Sequence, residues 1–387
     1  MDEIEKLLTR RVDKIYPSKE VLEKVLRSGK KLRLYQGFDP SSPVLHIGHL
    51  CGLKKLADFQ KAGHEVIFLI GDFTGMIGDP SGKANSRQIL THEQVMANAK
   101  EYQKQAGRVL KFDGPNPVKI KFNSEWNSKL SIEEFLHLAA NVTALNMWER
   151  DMFQERLKNK QDIWFHEMMY PLIQGYDSVA MDVDLEVGGS DQMFNMMVGR
   201  ELMKKIKNKE KFVLTTPLLT DAKGTKIGKT EGNAIAIADP AEKLFTNIMS
   251  LPDEVVIPAM ELITDMDLDQ VSNIKNQKSK TNPMELKKLL AFTVVAELND
   301  EAAALQAQKE FERVVQKGEA PTDISVIKLP ADWEKMDLPD LLFACNLVKS
   351  KSEGKRLIEQ KAVDVEGNTI KPGVILKIGK RIIIKLQ

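Results

Sequence analysis

Cysteine is scarce in this sequence, long apolar runs are absent, and neither sign of charge is in large excess. The two cysteines, Cys51 and Cys345, lie far apart in a chain of 387 residues, which argues against a disulfide framework and against a cysteine metal site. The apolar run within residues 65–72 has the length of a buried strand and is too short to span a membrane. These absences predict a protein of the reducing cytoplasm, without a membrane span or a structural metal.

The amino terminus also lacks a feature of secreted proteins. Residues 1–18 alternate charged and apolar residues with a helical period, and the uninterrupted apolar core of a secretory signal is missing. What the chain does have is size. Its 387 residues, of which 42% are hydrophobic and 29% charged, exceed the usual extent of one hydrophobic core, so two or three domains are expected.

The order of apolar patterns predicts an α/β fold in the first part of the chain. From Lys31 the sequence reads as a strand, a Pro/Ser loop, a helix and a second strand, and this alternation indicates a βαβ unit of a parallel sheet. A helix-rich stretch follows at roughly 91–164, and another apolar–loop–helix passage extends to about Ile237. We therefore predict an α/β domain over residues 1–237 that is interrupted by helices.

The remainder of the chain divides into three segments of different composition. Residues 238–318 read as helical, 319–336 cluster Gly, Pro and Asp and indicate a linker, and 337–387 form a separate small segment. Residues 347–387 carry ten Lys or Arg against four Asp or Glu, a net charge of +6, so the rest of a chain with a total of +1 carries −5. That asymmetry predicts an anionic partner for the C-terminal segment.

Two histidines, His46 and His49, stand where the loop after the first strand turns into a helix. A helix N-terminus presents unpaired N–H groups and a partial positive charge that attract phosphate, and two imidazoles would add directed donors. Gly48 between them would let a ligand lie close to the backbone. No third ligand nearby completes a zinc set, and two surface histidines without a function remain an alternative.

Lysines on a glycine-rich segment form the second candidate. Residues 221–233 place Lys226, Lys229 and Thr230 among three glycines. Such a loop suits a mobile clamp that reaches a polyphosphate once it is bound. A solvated surface loop is the alternative that this segment alone leaves open.

Tyr170, Gln174 and Asp177 form the third candidate, because spacings of four and three residues place them on one helical face. Polar groups of this kind need hydrogen-bond partners if they are buried. The spacing alone is equally compatible with a small-molecule pocket and with a solvated face.

Taken together, these stretches resemble the class I aminoacyl-tRNA synthetases, and in particular the bacterial-type tyrosyl-tRNA synthetases. "HIGH" at residues 46–49 is similar to the first signature of the class, and "KIGKT" at 226–230 resembles the second, the Lys-Met-Ser-Lys-Ser loop. "YQGFDP", "GDPSGK", "YPLIQGYDS" and "GGSDQ" occur in the order and approximate spacing of the tyrosyl enzymes. The resemblance is dense over residues 34–233 and weaker beyond, where "SEGKRLIEQKAVDVEGN" is similar to the S4 RNA-binding fold.

This resemblance implies a tyrosine–tRNA ligase, which makes tyrosyl-adenylate and pyrophosphate from tyrosine and ATP and passes the tyrosyl group to the 3′ end of tRNA(Tyr). It implies a Rossmann-type catalytic domain with a helical insertion over 1–237, a helical anticodon-recognition domain over 238–318, and an S4-like α+β domain over 337–387. It also implies a homodimer joined through the helical insertion, with Mg²⁺ accompanying ATP as substrate.

The resemblance assigns roles position by position. The residues implied to act on the ATP phosphates are His46, His49, Lys226, Lys229 and Thr230. The residues implied to hold tyrosine are Tyr35 and Asp177 at the phenolic hydroxyl, Asp79, Tyr170 and Gln174 at the α-ammonium, and Gln192 near the reacting carboxyl. The residues implied to line the adenylate are Gly37, Asp39, Ser41, Gly48, Gly189 and Asp191.

Two positions depart from the family pattern, and two other functions stay open. Met193 and Phe194 follow Gln192 where many bacterial members carry Trp-Gly, and Ser41 stands where threonine is frequent. A tryptophanyl enzyme shares the fold, although a Tyr/Asp pair directed at a hydroxyl fits tyrosine better than indole. A synthetase-like RNA-binding protein without catalysis is the other alternative, and two intact signatures disfavour it.

Overall fold

The structure is a computed structural model, and it describes residues 2–79, 90–148, 150–221, 224–228, 233–277, 281–317, 319, 325–330, 332–365, 369–379 and 382–387. The chain divides into two compact units, Met1–Ala304 and Leu305–Gln387. Within the described ranges, every helix is too short or too polar to cross a membrane.

The first unit is built on a six-stranded sheet. Its strands are β1 (Lys14–Tyr16), β2 (Arg33–Phe38), β3 (Glu65–Ile70), β4 (Lys119–Phe122), β5 (Leu185–Gly189) and β6 (Phe212–Thr216). Their order across the sheet is β1-β6-β5-β2-β3-β4. Strand β1 runs antiparallel to β6, and the other neighbouring pairs are parallel, which confirms the predicted α/β fold with a parallel sheet.

Helices surround and extend this sheet. Up to β6 they are α1 (Glu3–Thr9), α2 (Lys19–Arg27), α3 (Ile47–Lys61), α4 (Thr74–Ile77), α5 (His92–Ala106), α6 (Ser124–Asn127), α7 (Ile132–Ala139), α8 (Ala144–Trp148), α9 (Asp151–Lys158), α10 (Phe165–Met181) and α11 (Met193–Lys207). After β6 they are α12 (Ala241–Met249), α13 (Val256–Ile263), α14 (Leu268–Gln277), α15 (Pro283–Leu298) and α16 (Glu301–Phe311). The wholly helical reading of the stretch after residue 240 agrees with these bounds.

The helical insertion contains one strand that the sequence did not predict. Strand β4 lies within the stretch expected to be helix-rich, and it forms the edge of the sheet beside β3. It is four residues long and alternates Lys with Ile and Phe, so it lacks the long apolar run that marks a buried parallel strand. An edge position, which needs apolar cover on fewer sides, explains why the signal is weak.

The strand order places a crevice beside β2. From β2 the chain adds β3 and β4 on one side and β5 and β6 on the other, so β2 and β5 flank the point at which the order reverses. Ligands of open α/β sheets bind outside the carboxyl ends of the strands at such a point. Pairing between β2 and β5 covers only Leu34 with Leu185 and Tyr35 with Glu186, whereas β2 pairs with β3 through Phe38. The two strands therefore part just beyond Tyr35.

The second unit is a small α+β assembly with its own core. Beyond the end of α16 it contains β7 (Ser325–Ile327), α17 (Leu338–Ala344), α18 (Lys351–Glu359), β8 (Val363–Val365), β9 (Ile375–Ile378) and β10 (Ile382–Leu386). The sheet order is β7-β10-β9-β8, with β7 parallel to β10 and the other pairs antiparallel. Leu342, Leu376 and Leu386 belong to its apolar core.

The boundary between the units differs from the predicted segment boundaries. It falls at residues 304 and 305, inside α16, and β7 lies within the predicted linker of 319–336. A three-residue strand is too short to stand out in a sequence, and its pairing with β10 at the far end of the chain is what makes it a strand. The finer division into catalytic, anticodon-recognition and S4-like domains stays a prediction.

Candidate active site

The cavity at the carboxyl ends of β2 and β5 brings most of the predicted residues together. Its volume is about 240 Å³. The predicted residues that line it are Tyr35, Gly37, Asp39, His46, Gly48, His49, Asp79, Tyr170, Gln174, Asp177, Gly189, Asp191, Gln192 and Lys226. Ser41 does not belong to the wall, and its backbone N–H donates to the Asp39 carbonyl at 2.7 Å. Lys229 and Thr230 lie outside the described residues.

The two histidines form the N-terminal cap of α3. The Gly48 N–H donates to His46 Nδ1 at 3.2 Å, and the His46 N–H donates to His49 Nδ1 at 3.1 Å. Because Nδ1 accepts in both rings, a neutral imidazole at either position carries its proton on Nε2. Their ring centroids lie 3.9 Å apart. The backbone thus leaves Nε2–H as the donor of a neutral ring at either position, and both residues line the cavity.

At this end of the cavity, His49 is a neutral donor beside the charged Lys226. Burial lowers the pKa of His49 well below its usual range, and the neighbouring His46 and Lys226 lower it further. A neutral imidazole donates a hydrogen bond without adding a second positive charge. Lys226 Nζ donates to Asp191 at 2.6 Å, so a cation and a carboxylate face each other where a polyphosphate is expected.

Gly48 is explained by packing within the protein. A Cβ at this position would lie 2.8 Å from the Ile227 carbonyl oxygen and 3.0 Å from the His46 ring. The segment that carries Lys226 also meets the start of α3 through the Ile47 N–H, which donates to the Ile235 carbonyl at 2.9 Å. The glycine lets the two signature segments approach each other, whereas the sequence suggested only room for a ligand.

Asp39 at the end of β2 is held by two hydroxyl groups. Thr74 Oγ1 donates to Asp39 Oδ1 at 2.7 Å, and Tyr170 OH donates to Asp39 Oδ2 at 2.8 Å. Burial raises the pKa of Tyr170 well above its usual range, and the carboxylates of Asp39 and Asp79 add to that rise. Tyr170 therefore remains a hydrogen-bond donor, and it joins α10 to the strand end at the switch point.

A row of amide and carboxylate side chains follows on the same wall. Gln192 Nε2 donates to Asp79 Oδ2 at 2.6 Å, and Gln174 Nε2 donates to Glu186 Oε1 at 3.2 Å. Asn195 Nδ2 donates to Oε1 of both glutamines, each at 3.0 Å. Asn195 on α11 was not predicted, and it connects two residues that were.

The closed end of the cavity contains polar groups that are shielded from water. Asp177 is 2% exposed and accepts hydrogen bonds from Trp126 Nε1 at 2.7 Å, Asn127 Nδ2 at 3.1 Å and Asn123 Nδ2 at 3.2 Å. Burial raises the pKa of Asp177 to about 8, although the three N–H donors act in the opposite direction. Tyr35 OH lies 2.9 Å from Ser178 Oγ. A ligand hydroxyl that reached this end would meet Tyr35 and Asp177 together.

Behind this end lies a buried ion pair that sequence reasoning missed. Lys211 Nζ contacts Glu186 Oε2 and donates to Ser178 Oγ at 2.8 Å and to the Met196 carbonyl at 3.2 Å. Glu186 interrupts the otherwise apolar strand β5, and Lys211 immediately precedes the apolar strand β6. In the sequence, the signal for this ion pair was a charged residue within or next to an apolar strand. The polar run "FNSEWN" at residues 122–127, after β4, was the signal for the Asp177 donors.

The two departures from the family pattern have clear places in the structure. Tyr16 OH donates to Met193 Sδ at 3.1 Å, and the Phe194 ring lies 4.9 Å from the Arg150 guanidinium. Both side chains thus contact neighbours from other parts of the first unit. Among the described residues, no group of three or more His, Cys, Asp or Glu side chains is arranged to hold a metal ion.

The parallel sheet, the cavity at its switch point and the two signature stretches are the features expected of a class I synthetase. The family model of the class I tRNA synthetases "(W and Y)" matches residues 27–316. The chain belongs to this family, as predicted.

The similar proteins point to the tyrosyl branch of the family. A tyrosine–tRNA ligase of Geobacter metallireducens is 43% identical, with 94% of this chain and 92% of the relative covered. One of Dehalococcoides mccartyi is 40% identical, with 98% and 97% covered. A solved tyrosyl-tRNA synthetase of Archaeoglobus fulgidus, complexed with L-tyrosine, is 25% identical with a TM-score of 0.63, and the match covers 79% of this chain and 100% of that one.

Proposed function

We propose that the chain joins tyrosine to tRNA in two steps within this cavity. Tyrosine and ATP first give tyrosyl-adenylate and pyrophosphate, and the tyrosyl group then passes to the 3′ end of tRNA(Tyr). The predicted ligase function is confirmed by relatives that share about 40% of its residues over nearly the whole chain. The observation that carries the proposal is one cavity lined both by the donors that we assign to phosphate, on His46, His49 and Lys226, and by the buried polar groups of Tyr35 and Asp177.

The first step needs stabilisation of charge rather than a general base. A substrate carboxylate is ionised at neutral pH, so one of its oxygens attacks the α-phosphorus directly, and the bond from that phosphorus to the pyrophosphate oxygen breaks. Negative charge moves onto pyrophosphate as the bond breaks. The Nε2–H groups of His46 and His49 and the Nζ of Lys226 are the donors we assign to that charge. Lys229 and Thr230 keep the same proposed role.

The assignment of Lys226 requires it to exchange partners. Its Nζ now pairs with Asp191, and the phosphates of ATP would take over that contact. Asp191 is then free to accept from the ribose hydroxyls, beside the adenylate positions at Gly37, Asp39, Ser41, Gly48 and Gly189. Magnesium enters as part of the MgATP substrate, and the chain's own contribution is the set of donors.

At the other end, complementary groups would hold tyrosine. Asp79, Tyr170 and Gln174 are assigned to the α-ammonium, and Gln192 to the region of the carboxyl group. The phenolic hydroxyl would meet Tyr35 and Asp177. An indole offers no hydroxyl for this pair, so the arrangement favours tyrosine over the tryptophan alternative, and the intact signatures at the other end speak against a non-catalytic protein.

We assign tRNA contacts to the basic C-terminal segment, which we propose to be S4-like. Lys349 and Lys355 are exposed there, and segments with excess positive charge bind nucleic acid through the phosphates. Replacing both by Ala should weaken tRNA binding and reduce the slope of log affinity against log salt by about 1.4 to 1.8, since each phosphate contact adds about 0.7 to 0.9. An unchanged slope in filter-binding assays would show that this segment does not contact the RNA.

A homodimer is also proposed, with the helical insertion as the interface. Ile132, Leu136 and Leu145 on α7 and α8 are exposed by 82%, 63% and 65%. Large apolar side chains clustered in one region mark an association surface. A cytoplasmic location is proposed as well, because the chain has only two cysteines. Sedimentation of the wild type against a Leu136→Glu variant tests the dimer.

Pyrophosphate exchange tests the proposed reaction most directly. The purified protein is incubated with ATP, labelled pyrophosphate and each of the twenty amino acids in turn. We expect exchange with tyrosine and little with phenylalanine or tryptophan. Exchange driven by tryptophan would assign the tryptophanyl reaction, and no exchange with any amino acid would assign a non-catalytic role.

A further inference from the structure

Arg150 is a buried cation beside the amide row of the cavity. It is 7% exposed, and its Nη2 donates to Asn195 Oδ1 at 3.3 Å. Its Nη1 is buried and has no hydrogen-bond partner among the described residues. The guanidinium carbon lies 5.1 Å from the Phe153 ring and 4.9 Å from the Phe194 ring. Two aromatic rings therefore lie within cation–π distance of the guanidinium, which donates to the Asn195 side chain.

The position of Arg150 determines which way Asn195 points. A side-chain amide has one accepting oxygen and one donating nitrogen, and the two ends are interchangeable in shape. A guanidinium can only donate, so the end of Asn195 that faces Arg150 must be the oxygen. Nδ2 is then directed at Gln174 and Gln192, where it donates at 3.0 Å to each.

The carboxylates at the other end impose the same polarity. Asp79 and Glu186 can only accept when ionised, and each receives Nε2 of a glutamine. Both glutamines must therefore turn Oε1 toward Asn195. A donor-only group at the start and two acceptor-only groups at the ends leave one consistent orientation for all three amides. Lys211, which is also donor-only, contacts Glu186 from behind and closes the row.

We propose that Arg150 is a positioning residue for the amino-acid end of the cavity, because it supplies the donor to Asn195 Oδ1 and so holds in place the amide that Gln174 and Gln192 share. This proposal rests on the proposed function, which assigns tyrosine's ammonium and carboxyl groups to that end. Without Arg150, the buried Asn195 Oδ1 has lost its donor, although the carboxylates still orient the two glutamines. Asn195 can then shift, and Gln174 and Gln192 lose the Nδ2 donor that holds their Oε1 atoms in place for tyrosine.

Phe194 makes the arrangement a property of this chain. It stands at one of the two positions where many bacterial relatives carry Trp-Gly, and its ring lies 4.9 Å from the guanidinium carbon. Phe153, which is fully buried, lies 5.1 Å from the same carbon. Cation–π contacts with two rings favour the guanidinium in this place and leave its N–H groups for hydrogen bonds.

The test compares Arg150→Met, Asn195→Ala and the double variant in tyrosine-dependent pyrophosphate exchange. We expect Arg150→Met to raise the KM for tyrosine by about tenfold, the scale for one lost charge-assisted hydrogen bond, and to leave the KM for ATP within about twofold. The double variant should be no worse than Asn195→Ala, because both substitutions break the same row. Arg150→Lys, which keeps a donor, should recover part of the loss.

Arg156→Met is the matched control. Arg156 is similarly buried in the same region of the chain, but it pairs with Glu167 at 2.7 Å. We expect this variant to unfold at a lower temperature and to keep the wild-type KM for tyrosine. If Arg150→Met behaves in the same way, or if its effect multiplies with that of Asn195→Ala, Arg150 is only a packing residue and the proposal fails.

Two further outcomes separate this proposal from the proposed function. If Arg150→Met does not fold, Arg150→Lys and Asn195→Ala decide the question. Wild-type KM values for tyrosine and for ATP in both of these variants would contradict the positioning role. A wild type that catalyses no tyrosine-dependent exchange overturns the proposed function, and the tyrosine-positioning role falls with it. An active wild type with an unaffected Arg150→Met overturns the positioning role alone.

Discussion

Two lysine–carboxylate pairs stand at opposite ends of the cavity and differ in their access to water. The side chains of Lys226 and Asp191 are 45% and 28% exposed, whereas those of Lys211 and Glu186 are 0% and 3% exposed. An exposed pair contributes about 0–1 kcal/mol, so it can exchange partners when a ligand arrives. Breaking a buried pair leaves a charge without a partner or water. The end that we assign to phosphate, at Lys226 and Asp191, can therefore rearrange, and the end that we assign to tyrosine, beside Glu186, must stay fixed.

The hydrogen bonds at the two ends support the same contrast. At the phosphate end, His46 and His49 are oriented by backbone groups of their own helix turn. At the tyrosine end, the acceptors and donors come from segments far apart in the chain, as when Trp126 and Asn123 donate to Asp177. A local cap survives changes elsewhere in the molecule, whereas a network assembled from distant segments depends on the whole fold.

The largest expected effect is on stability at the tyrosine end. Lys211→Met leaves Glu186 buried without its partner, so the free energy of unfolding should fall by about 3–5 kcal/mol. Lys226→Met at the other end should change it by about 1 kcal/mol or less. Urea denaturation at pH 7 measures both. Lys211→Met combined with Glu186→Gln should regain much of the loss, and equal effects of the two single variants would erase the contrast.

The second effect is expected at Lys226 and not at Lys211, because it concerns the rate of adenylate formation and not stability. Lys226→Ala should slow adenylate formation by about 2–4 kcal/mol in activation free energy, the scale for one preorganised charge-stabilising donor, and leave the KM for tyrosine nearly unchanged. Stopped-flow or pyrophosphate exchange gives both quantities. Lys243→Ala removes another exposed lysine that pairs with an aspartate, at 2.9 Å, and should have no effect. Activation at the wild-type rate in Lys226→Ala would remove this lysine from the mechanism.

The third effect is a pH dependence at the tyrosine end. Burial raises the pKa of Asp177 to about 8, so the folded protein retains a proton that the unfolded chain loses near pH 4. Stability from this group is present below pH 4 and lost as pH rises through 8. Relative to Asp177→Asn, the wild type should lose stability between pH 4 and pH 8, by about 1.4 kcal/mol for each unit by which the folded pKa exceeds the unfolded one.

Asp265 provides a control for which the change of stability with pH has the opposite sign. Burial acts to raise its pKa, but Lys54 and Arg11 together hold that pKa at about 2. The advantage of the wild type over Asp265→Asn should therefore be present above pH 4 and disappear as pH falls toward 2. Denaturation curves of both variants across this pH range make the check. If the stability difference between the wild type and Asp177→Asn does not change with pH, the three N–H donors keep the Asp177 carboxylate ionised.

The smallest expected effect concerns the phenolic hydroxyl. Tyr35→Phe removes one hydroxyl that contacts Ser178, so it should lower kcat/KM for tyrosine by about 1 kcal/mol in activation free energy, the net value of one hydrogen bond. The preference for tyrosine over phenylalanine should narrow. Tyr16→Phe, whose hydroxyl contacts Met193, is the control and should leave that preference unchanged. If the ratio of kcat/KM for tyrosine to kcat/KM for phenylalanine is unchanged in Tyr35→Phe, the substrate hydroxyl binds elsewhere.

The sequence predicted the local structure around His46 and His49 better than the surroundings of Asp177. His46, Gly48 and His49 are neighbours in the chain, and a strand, loop and helix in that order already place them at a helix N-terminus. The sequence suggested only that Gly48 makes room for a ligand, because the Ile227 carbonyl that a side chain there would meet comes from a distant segment. Strand β4 was missed for a related reason, since an edge strand of four residues carries little pattern.

At the tyrosine end, the spacing of Tyr170, Gln174 and Asp177 identified one helical face but left its surroundings open. Asn195 and Arg150 carry no local signal, since a single Asn within an amphipathic helix and a single Arg before one are common. Glu186 and Lys211 are visible as charges beside apolar strands, but their pairing depends on the register of β5 with β6. Side chains separated by tens of residues become partners only when the sheet order is known.

By itself, the sequence determined the α/β class, the family and the placement of His46 and His49 at a helix N-terminus, because these depend on local periodicity and on short motifs whose backbone geometry is built from neighbouring residues. The tertiary structure alone decided which end of each buried amide donates and which lysine is buried. These are choices between states that a single residue can adopt equally well. They are settled by donor-only and acceptor-only groups brought in from other strands and helices, and by the exclusion of water that makes a wrong choice costly.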